Sequence, residues 1–204
     1  MLMLDHIAVA AETLDEGRAH LESMLGITLN AGGHHAVMGT HNLLTGMEDG
    51  LYFELIAIDP EAAAPNRPRW FDLDRFSGPP RLTNWICGTD DMDAALAALP
   101  GAGEPLEVER GDLRWRMGVP ADGVLPFDKV HPALIEWQGD VHPVQRLPNS
   151  GLRLLELRVM HPRADALRAA LAPHLSESRV SYVTAQAPGL EAVLDSPLGR
   201  KVLR

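Results

Sequence analysis

The chain has 204 residues, of which 46% are hydrophobic and 23% are charged, a composition that excludes intrinsic disorder, collagen and a disulfide-rich scaffold. At about 150 residues per domain, this length predicts one large domain or two small ones. Its 18 basic and 28 acidic residues give a formal net charge of −10, which disfavours a protein that binds nucleic acid through the phosphate backbone.

The lone cysteine and the first residues of the chain indicate a compartment. Cys87 lies in an apolar run, which favours a buried thiol in a reducing environment. No segment approaches the roughly 18 uninterrupted apolar residues of a membrane span. The chain also does not open on a basic region followed by an apolar stretch. We therefore predict a cytoplasmic protein that binds neither membranes nor nucleic acid.

Residues 1–60 predict a strand, a helix and then several antiparallel strands. Residues 4–10 are short, apolar and partly β-branched, as in a buried strand. Thr13 opens a capping box, which starts a helix, and Gly26 can end that helix. Among the extended segments that follow, residues 51–58 carry the strongest strand signal.

Five prolines lie between residues 59 and 80, and they predict that residues 61–80 are a linker running over the surface. The strand–helix order then repeats over residues 81–140. Its predicted elements are a strand at 82–88, a helix at 92–99, and strands around 113–117 and 133–137.

Residues 141–204 predict a third, shorter unit packed on the same domain. The pattern indicates a strand at 152–160, a helix with Pro162 as its first residue, and short strands at 180–184, 190–194 and 198–203. A unit of this size that recurs two or three times favours a duplicated α+β architecture over a helix bundle.

Glu54 is the most informative residue, because it interrupts a strand that is apolar on both faces. A buried carboxylate requires a cation, a metal or several hydrogen-bond donors to compensate it. His6 lies in the first strand, and period-two alternation allows both side chains to face the same side of one sheet. Imidazole and carboxylate are ordinary ligands of zinc, iron, nickel and manganese. An arginine partner, or a strand with one solvated face, also explains Glu54.

Overlaying the two longer units places other polar residues at related positions. Asn84 falls opposite His6, and Glu136 falls opposite Glu54. His35 and His41 lie on either side of a predicted turn, where either could complete a coordination sphere or donate hydrogen bonds to a bound acid or diketone. A polar hairpin in solvent explains the histidines of this turn equally well.

Four segments carry a resemblance to the glyoxalase-like branch of the vicinal oxygen chelate superfamily. They are Leu4-Asp5-His6-Ile7-Ala8-Val9, Gly32-Gly33-His34-His35, Gly39-Thr40-His41-Asn42 and Tyr52-Phe53-Glu54-Leu55-Ile56. The resemblance is good over about the first 60 residues and looser to about residue 140.

The resemblance implies an α+β fold of repeated βαβββ modules, whose curved mixed sheets enclose a cleft. It also implies a divalent metal (zinc, nickel, iron or manganese) on the cleft floor, held by His6, Glu54 and Glu136. Glu54 or Glu136 would double as a general base next to a substrate carbonyl. His35, His41, Asn42 and Asn84 are candidates for a further ligand or for substrate binding. Homodimers are common in the superfamily, which makes a homodimer one candidate assembly.

Asn84 departs from the metal-binding pattern, because an amide is a poor ligand for these metals. Our first hypothesis is a metal-dependent lyase or isomerase acting on a small oxygenated substrate. The alternative is a metal-free binding protein of the bleomycin-resistance type, in which Glu54 pairs with an arginine. Its apolar walls would come from Trp85, Trp115 and Trp137. A thiol transferase that opens an epoxide is a third, weaker hypothesis.

Overall fold

The structure, a computed structural model, describes residues 1–204. Its first module comprises β1 (Met3–Ala10), α1 (Leu14–Leu25), β2 (Asn30–His35), β3 (Thr40–Met47) and β4 (Tyr52–Ile58). The side chain of Thr13 caps α1 by accepting a hydrogen bond from the Glu16 backbone amide. Gly26 ends the helix with φ of 69°, a left-handed conformation that favours glycine.

The second module repeats this order. It comprises β5 (Arg81–Gly88), α2 (Met92–Ala98), β6 (Glu104–Arg110), β7 (Leu113–Val119) and β8 (Ala133–Gln138). In each module the first strand pairs in parallel with the last one, which gives the strand orders β1-β4-β3-β2 and β5-β8-β7-β6. The modules join where β1 pairs antiparallel with β5. The predicted α+β fold of repeated βαβββ modules is therefore confirmed.

The third unit has the same element order but a different strand pairing. It comprises β9 (Asn149–His161), α3 (Ala164–Leu171), β10 (Val180–Thr184), β11 (Gly189–Ser196) and β12 (Gly199–Leu203). Here β10, the strand after the helix, pairs in parallel with β9, and β11 pairs with the other edge of β9. Contacts between β9 and β3 join this unit to the 12-stranded sheet.

The two faces of the sheet have different coverings. The larger hydrophobic cluster lies under the three helices and includes Leu21 of α1, Leu96 of α2 and Leu167 of α3. We call this side the helix face. The smaller cluster lies on the opposite side, which we call the cleft face, and combines strand residues with residues of the linker. None of the helices is both long and apolar enough to cross a membrane.

The linker departs from its predicted course over the surface. Its central residues form a short 3₁₀ turn, and Trp70, Phe71 and Leu73 are buried against the cleft face. Proline keeps such a segment out of the sheet, but three large apolar side chains gain more from burial than from exposure. The surface course was predicted from the prolines alone, without the apolar residues between Pro68 and Pro79. The linker thus forms one wall of the cleft.

Candidate functional site

A small chamber opens on the cleft face, between the two modules and the linker. Its cavity volume is about 30 Å³, room for about one water molecule. The polar residues that line it are His6, His35, Asn42, Tyr52, Glu54 and Arg110. A larger outer groove of about 560 Å³ lies next to it. Arg110 lines both spaces, so its side chain stands between the groove and the chamber.

His6 is buried in β1 and is held in a fixed orientation. Its Nδ1 donates to Asp5 Oδ1 at 2.6 Å, and its ring stacks on Tyr52 with centroids 4.1 Å apart. Nε2 faces Glu54 Oε2 at 3.5 Å. Burial alone would lower the pKa of His6, but the bond to Asp5 and the facing Glu54 outweigh it and raise that pKa. The two carboxylates therefore favour the protonated form of this imidazole.

Asp5 anchors this arrangement from a bulge in β1. Besides His6, it accepts hydrogen bonds from His142 Nε2 at 3.0 Å and from Trp137 Nε1 at 3.1 Å. Burial works to raise the pKa of Asp5, but the bonds from His142 and His6 lower it overall. Asp5 is therefore an ionised carboxylate that accepts three hydrogen bonds.

Glu54 projects into the chamber from β4, while its neighbours Phe53 and Leu55 pack on the helix face. The Asn42 amide donates to Glu54 Oε1 at 2.6 Å. Burial works to raise the pKa of Glu54, but His6, His35 and Asn42 lower it overall. The predicted inward orientation of this carboxylate is present in the structure, and its compensation comes from hydrogen-bond donors and a histidine.

Arg110 reaches the chamber from the end of β6. Its Nη1 donates to Asn42 Oδ1 at 3.0 Å, so a single amide links this cation to Glu54. Arg110 forms no ion pair with a carboxylate, and its guanidinium lies 5.8 Å from the centroid of Trp115. Gly33 makes room for it, since a Cβ at that position would stand 2.5 Å from Arg110 Cδ. The guanidinium is therefore free to bind an anionic group.

His35 and Asn42 reach the chamber from the β2–β3 hairpin. His35 is buried, and its Nδ1 forms a 2.9 Å hydrogen bond with the Thr40 hydroxyl. Burial lowers the pKa of His35 to about 4, so this imidazole is neutral near pH 7. Asn42 links three groups, because it also accepts a hydrogen bond from the Gly33 backbone amide at 3.0 Å.

Aromatic side chains form the apolar walls of the chamber. Trp115, Trp137, Trp70 and Phe71 line it. Trp85, a predicted wall residue, instead lies in the cluster under the helices and donates to the Val130 carbonyl at 2.8 Å. Such walls favour a small, partly apolar ligand.

Glu136 does not join His6 and Glu54, which corrects its predicted placement. Its carboxylate lies on the helix face, where it accepts from the Met92 amide at 3.0 Å and from Arg116 at 3.2 Å. The pairing registers give the reason. Ala8 pairs with Glu54 in the first module, and the equivalent pair in the second joins Ile86 to Ala133. The structural counterpart of Glu54 is Ala133, and an offset of three residues places Glu136 on the other face.

The predicted overlay of Asn84 on His6 agrees with the β1–β5 pairing. This pairing joins His6 to Ile86 and Asn84 to Ala8, so an exchange of the two strands places Asn84 at the position of His6. Asn84 is buried, and neither its amide nitrogen nor its amide oxygen has a hydrogen-bond partner. It does not line the chamber that contains His6. Asn84 therefore offers no ligand to the chamber.

His41, a predicted candidate, faces away from the chamber. It lies with His34 and Asp59 on the helix face of the β2–β3 hairpin, and the ligand atoms of these three residues are all within 4.8 Å of one another. This triad could hold a metal ion. The chamber offers His6, His35 and Glu54 as strong ligands, but their ligand atoms do not converge within 4.8 Å as those of His34, His41 and Asp59 do. The chamber residues therefore do not fit the metal implied by the resemblance.

Asp5, which holds His6, and the lining residues Tyr52 and Arg110 were not among the predicted site residues. Asp5 lies beside His6 in the motif, and a carboxylate next to a buried histidine is a usable signal. Arg110 ends a strand in the other module, and no spacing in the sequence relates it to Asn42. Arg110 and Asn42 come together only in the folded protein.

Comparisons with known proteins place the chain in a family. A family model described as "Glyoxalase-like domain" matches residues 4–175. A hypothetical protein from Staphylococcus aureus has a TM-score of 0.64 and 15% identity, and covers 92% of this chain and 88% of that one. Methylmalonyl-CoA epimerase from Streptomyces coelicolor, in complex with 2-nitronate-propionyl-CoA, has a TM-score of 0.41 and 21% identity, over 68% of this chain and 100% of that one. The Mycobacterium tuberculosis epimerase gives 0.39 and 19%, over 68% and 88%. A comparison with curated protein sequences gave no match.

Proposed function

The chain belongs to the glyoxalase-like domain family, and we propose that its chamber binds a small carbonyl compound with an acid group and transfers a proton next to the carbonyl. This chemistry is of the isomerase or lyase type. The observation that carries the proposal is the opposed pair of His6 and Glu54, 3.5 Å apart at the chamber wall.

Glu54 and His6 carry opposite charges suited to these two roles. The lowered pKa of Glu54 keeps it ionised near pH 7, so Oε2 can take a proton from the carbon next to the carbonyl. The electron pair of that C–H bond moves to the carbonyl oxygen. His6, whose protonated form is favoured by its bond to Asp5, donates a hydrogen bond from Nε2 to the developing oxyanion. Return of the proton to the opposite face of the carbon gives the epimer, whereas departure of a neighbouring group gives an elimination.

Arg110 sets the class of substrate. It is a cation without a carboxylate partner at the chamber entrance, and a guanidinium binds carboxylate and phosphate groups through two parallel hydrogen bonds. The chamber is too small for a substrate while Arg110 bonds to Asn42. Entry of a small acid therefore requires Arg110 to shift from Asn42 to the ligand.

Metal-dependent chemistry in the chamber, our first hypothesis from the sequence, receives less support. With Glu136 on the helix face, His6 and Glu54 remain of the three predicted metal ligands, and His35 is the candidate for a further ligand that also lies in the chamber. No step of the proposed reaction requires a metal, because His6 and Arg110 provide positive charge at the substrate oxygens.

The test is hydrogen exchange in D₂O, followed by proton NMR. The probes are small 2-oxo acids and neutral ketones of the same size. The wild-type protein is expected to exchange the hydrogens next to the carbonyl of the acids, and Glu54→Gln is expected to reduce exchange to the uncatalysed rate. Glu156→Gln is the matched control, since Glu156 lies outside the chamber and bonds to Arg158 and Ser181. Equal exchange rates for wild type and Glu54→Gln would refute the proposal.

A metal-free binding protein is the second candidate, and one observation favours it. Glu54 is connected to Arg110 through Asn42, close to the arginine pairing expected for such a protein. Line broadening or shifts of the probe signals without hydrogen exchange would identify binding without turnover.

A further inference from the structure

We infer that His34, His41 and Asp59 form a site for a divalent transition metal of the zinc type, on the helix face of the β2–β3 hairpin and separate from the chamber. Their ligand atoms converge within 4.8 Å. The site uses none of the chamber residues, so it does not depend on the proposed reaction.

Strand register brings the three side chains together. His34 and His41 are direct partners across the β2–β3 pair, and their ring centroids are 5.9 Å apart. His41 is paired with Ala57 across β3–β4, and Asp59 follows Ala57 by two residues. Diagonal neighbours of this kind lie on one face and within reach of long side chains.

Asp59 has the environment of a carboxylate that lacks a permanent counterion. Its side chain is 5% exposed, and its ion-pair partners are His34 at 2.6 Å and His41 at 4.0 Å. No lysine or arginine pairs with it, and its other side-chain bond comes from the Glu61 amide. A buried carboxylate without a lysine or arginine beside it is a favourable ligand for a divalent cation.

The donor set selects the class of metal. Two imidazoles and one carboxylate suit zinc, nickel, copper or iron, whereas calcium and magnesium take oxygen ligands. Three protein ligands leave positions for water. The His34 side chain is 68% exposed, so its imidazole is free to shift from a direct bond with Asp59 to distances of about 2.0–2.1 Å from a metal.

A metal at this position would connect the hairpin to the segment that follows β4. The opposite face of the hairpin carries His35 and Asn42 into the chamber. A bound ion would thus stabilise the β2–β3 hairpin, which forms one wall of the chamber.

The test measures binding of Zn²⁺ by calorimetry, using the full chain without a histidine tag after removal of metal with a chelator. The wild-type protein is expected to bind one Zn²⁺ per chain and to unfold at a higher temperature when zinc is present. His34→Ala should weaken binding by at least about 100-fold, since loss of even an outer hydrogen-bond partner weakens metal sites by 10–100-fold. His34 is exposed, so this variant retains the fold. Asp59→Asn should also lose the site.

Two controls locate the ion. His20→Ala removes an exposed histidine of α1 and should bind zinc as the wild type does. Glu54→Gln alters the chamber and should also retain binding. Absence of one-to-one binding in the wild type, unchanged affinity in His34→Ala, or loss of binding in Glu54→Gln would each overturn the inference. A failure of the exchange reaction would leave these zinc results unaffected, so the two proposals fail separately.

Discussion

Replacement of Asp5 with asparagine is the sharpest test of the charge arrangement around His6. Asp5 accepts from His6 on one oxygen and from both His142 and Trp137 on the other. Asparagine retains one oxygen and replaces the other with an NH₂ donor. In either orientation, that donor faces another N–H group, and His6 loses its ion-pair partner.

The magnitude follows from burial. Removing one partner of a buried ion pair destabilises a protein by ~3–5 kcal/mol, and Asp5 and His6 are both buried. For a domain of this size, that corresponds to a fall in melting temperature of roughly 6–20 °C. Asp140→Asn is the matched control, because Asp140 is exposed and its substitution should change stability by about 0.5 kcal/mol at most.

The effect depends on pH in a defined direction. His6 has a folded pKa above its ordinary value of 6.5, so its stabilising contribution is complete below 6.5 and is lost as pH rises through the folded pKa. Asp5 has a folded pKa below 3.8, so its contribution is complete above 3.8 and is lost only as pH falls through the folded value. Asp5→Asn should therefore destabilise the protein most at about pH 5 and less at about pH 9.

Urea unfolding of wild type, Asp5→Asn and Asp140→Asn at both pH values measures these differences. A loss below about 1 kcal/mol at the lower pH would place the Asp5–His6 pair in the range of surface ion pairs. An equal loss at both pH values would show that His6 is not a cation in the folded protein. Either result refutes the charge assignment.

Other substitutions test separate parts of the structure. Gly33→Ala places a Cβ 2.5 Å from Arg110 Cδ, so it should weaken binding of small acids while thermal melting shows little change. Glu136→Gln should leave hydrogen exchange intact and lower the unfolding free energy measured in urea by about 1 kcal/mol or less, because the carboxylate bonds to the Met92 amide and Arg116 outside the chamber. Cys87 is buried, and burial raises the pKa of its thiol, so a thiol reagent should modify it only after unfolding. Leu21→Ala, in the core under α1, should reduce the unfolding free energy by about 2–5 kcal/mol.

The central residues of the chamber could be predicted because their signals are local. His6 and Glu54 each interrupt an apolar strand, and alternation along parallel partners places both on one face. The order of strands and helices could be predicted for the same reason, because helix caps and hydrophobic periodicity depend on residues close together in the sequence.

The parts that could not be predicted depend on register or on distant contacts. The sequence pattern locates β8 but does not show its register against β5, and an offset of three residues exchanges Ala133 for Glu136 at the position equivalent to Glu54. Arg110 meets Asn42 only through the joining of the two modules. In the third unit β10 is the parallel neighbour of β9, and local sequence patterns do not show which strand pairs with which.

Hydrogen exchange by metal-depleted protein tests the central claim most directly, namely that His6 and Glu54 transfer a proton without a metal between them. The chelator-treated wild type is expected to exchange the hydrogens of small 2-oxo acids at an undiminished rate, and Glu54→Gln is expected to show none above background. Asp59→Asn removes one ligand of the proposed His34–His41–Asp59 metal site. Any metal that restores activity in this variant must therefore act in the chamber. Loss of exchange on chelation and its recovery with one equivalent of metal, in both wild type and Asp59→Asn, would contradict the account.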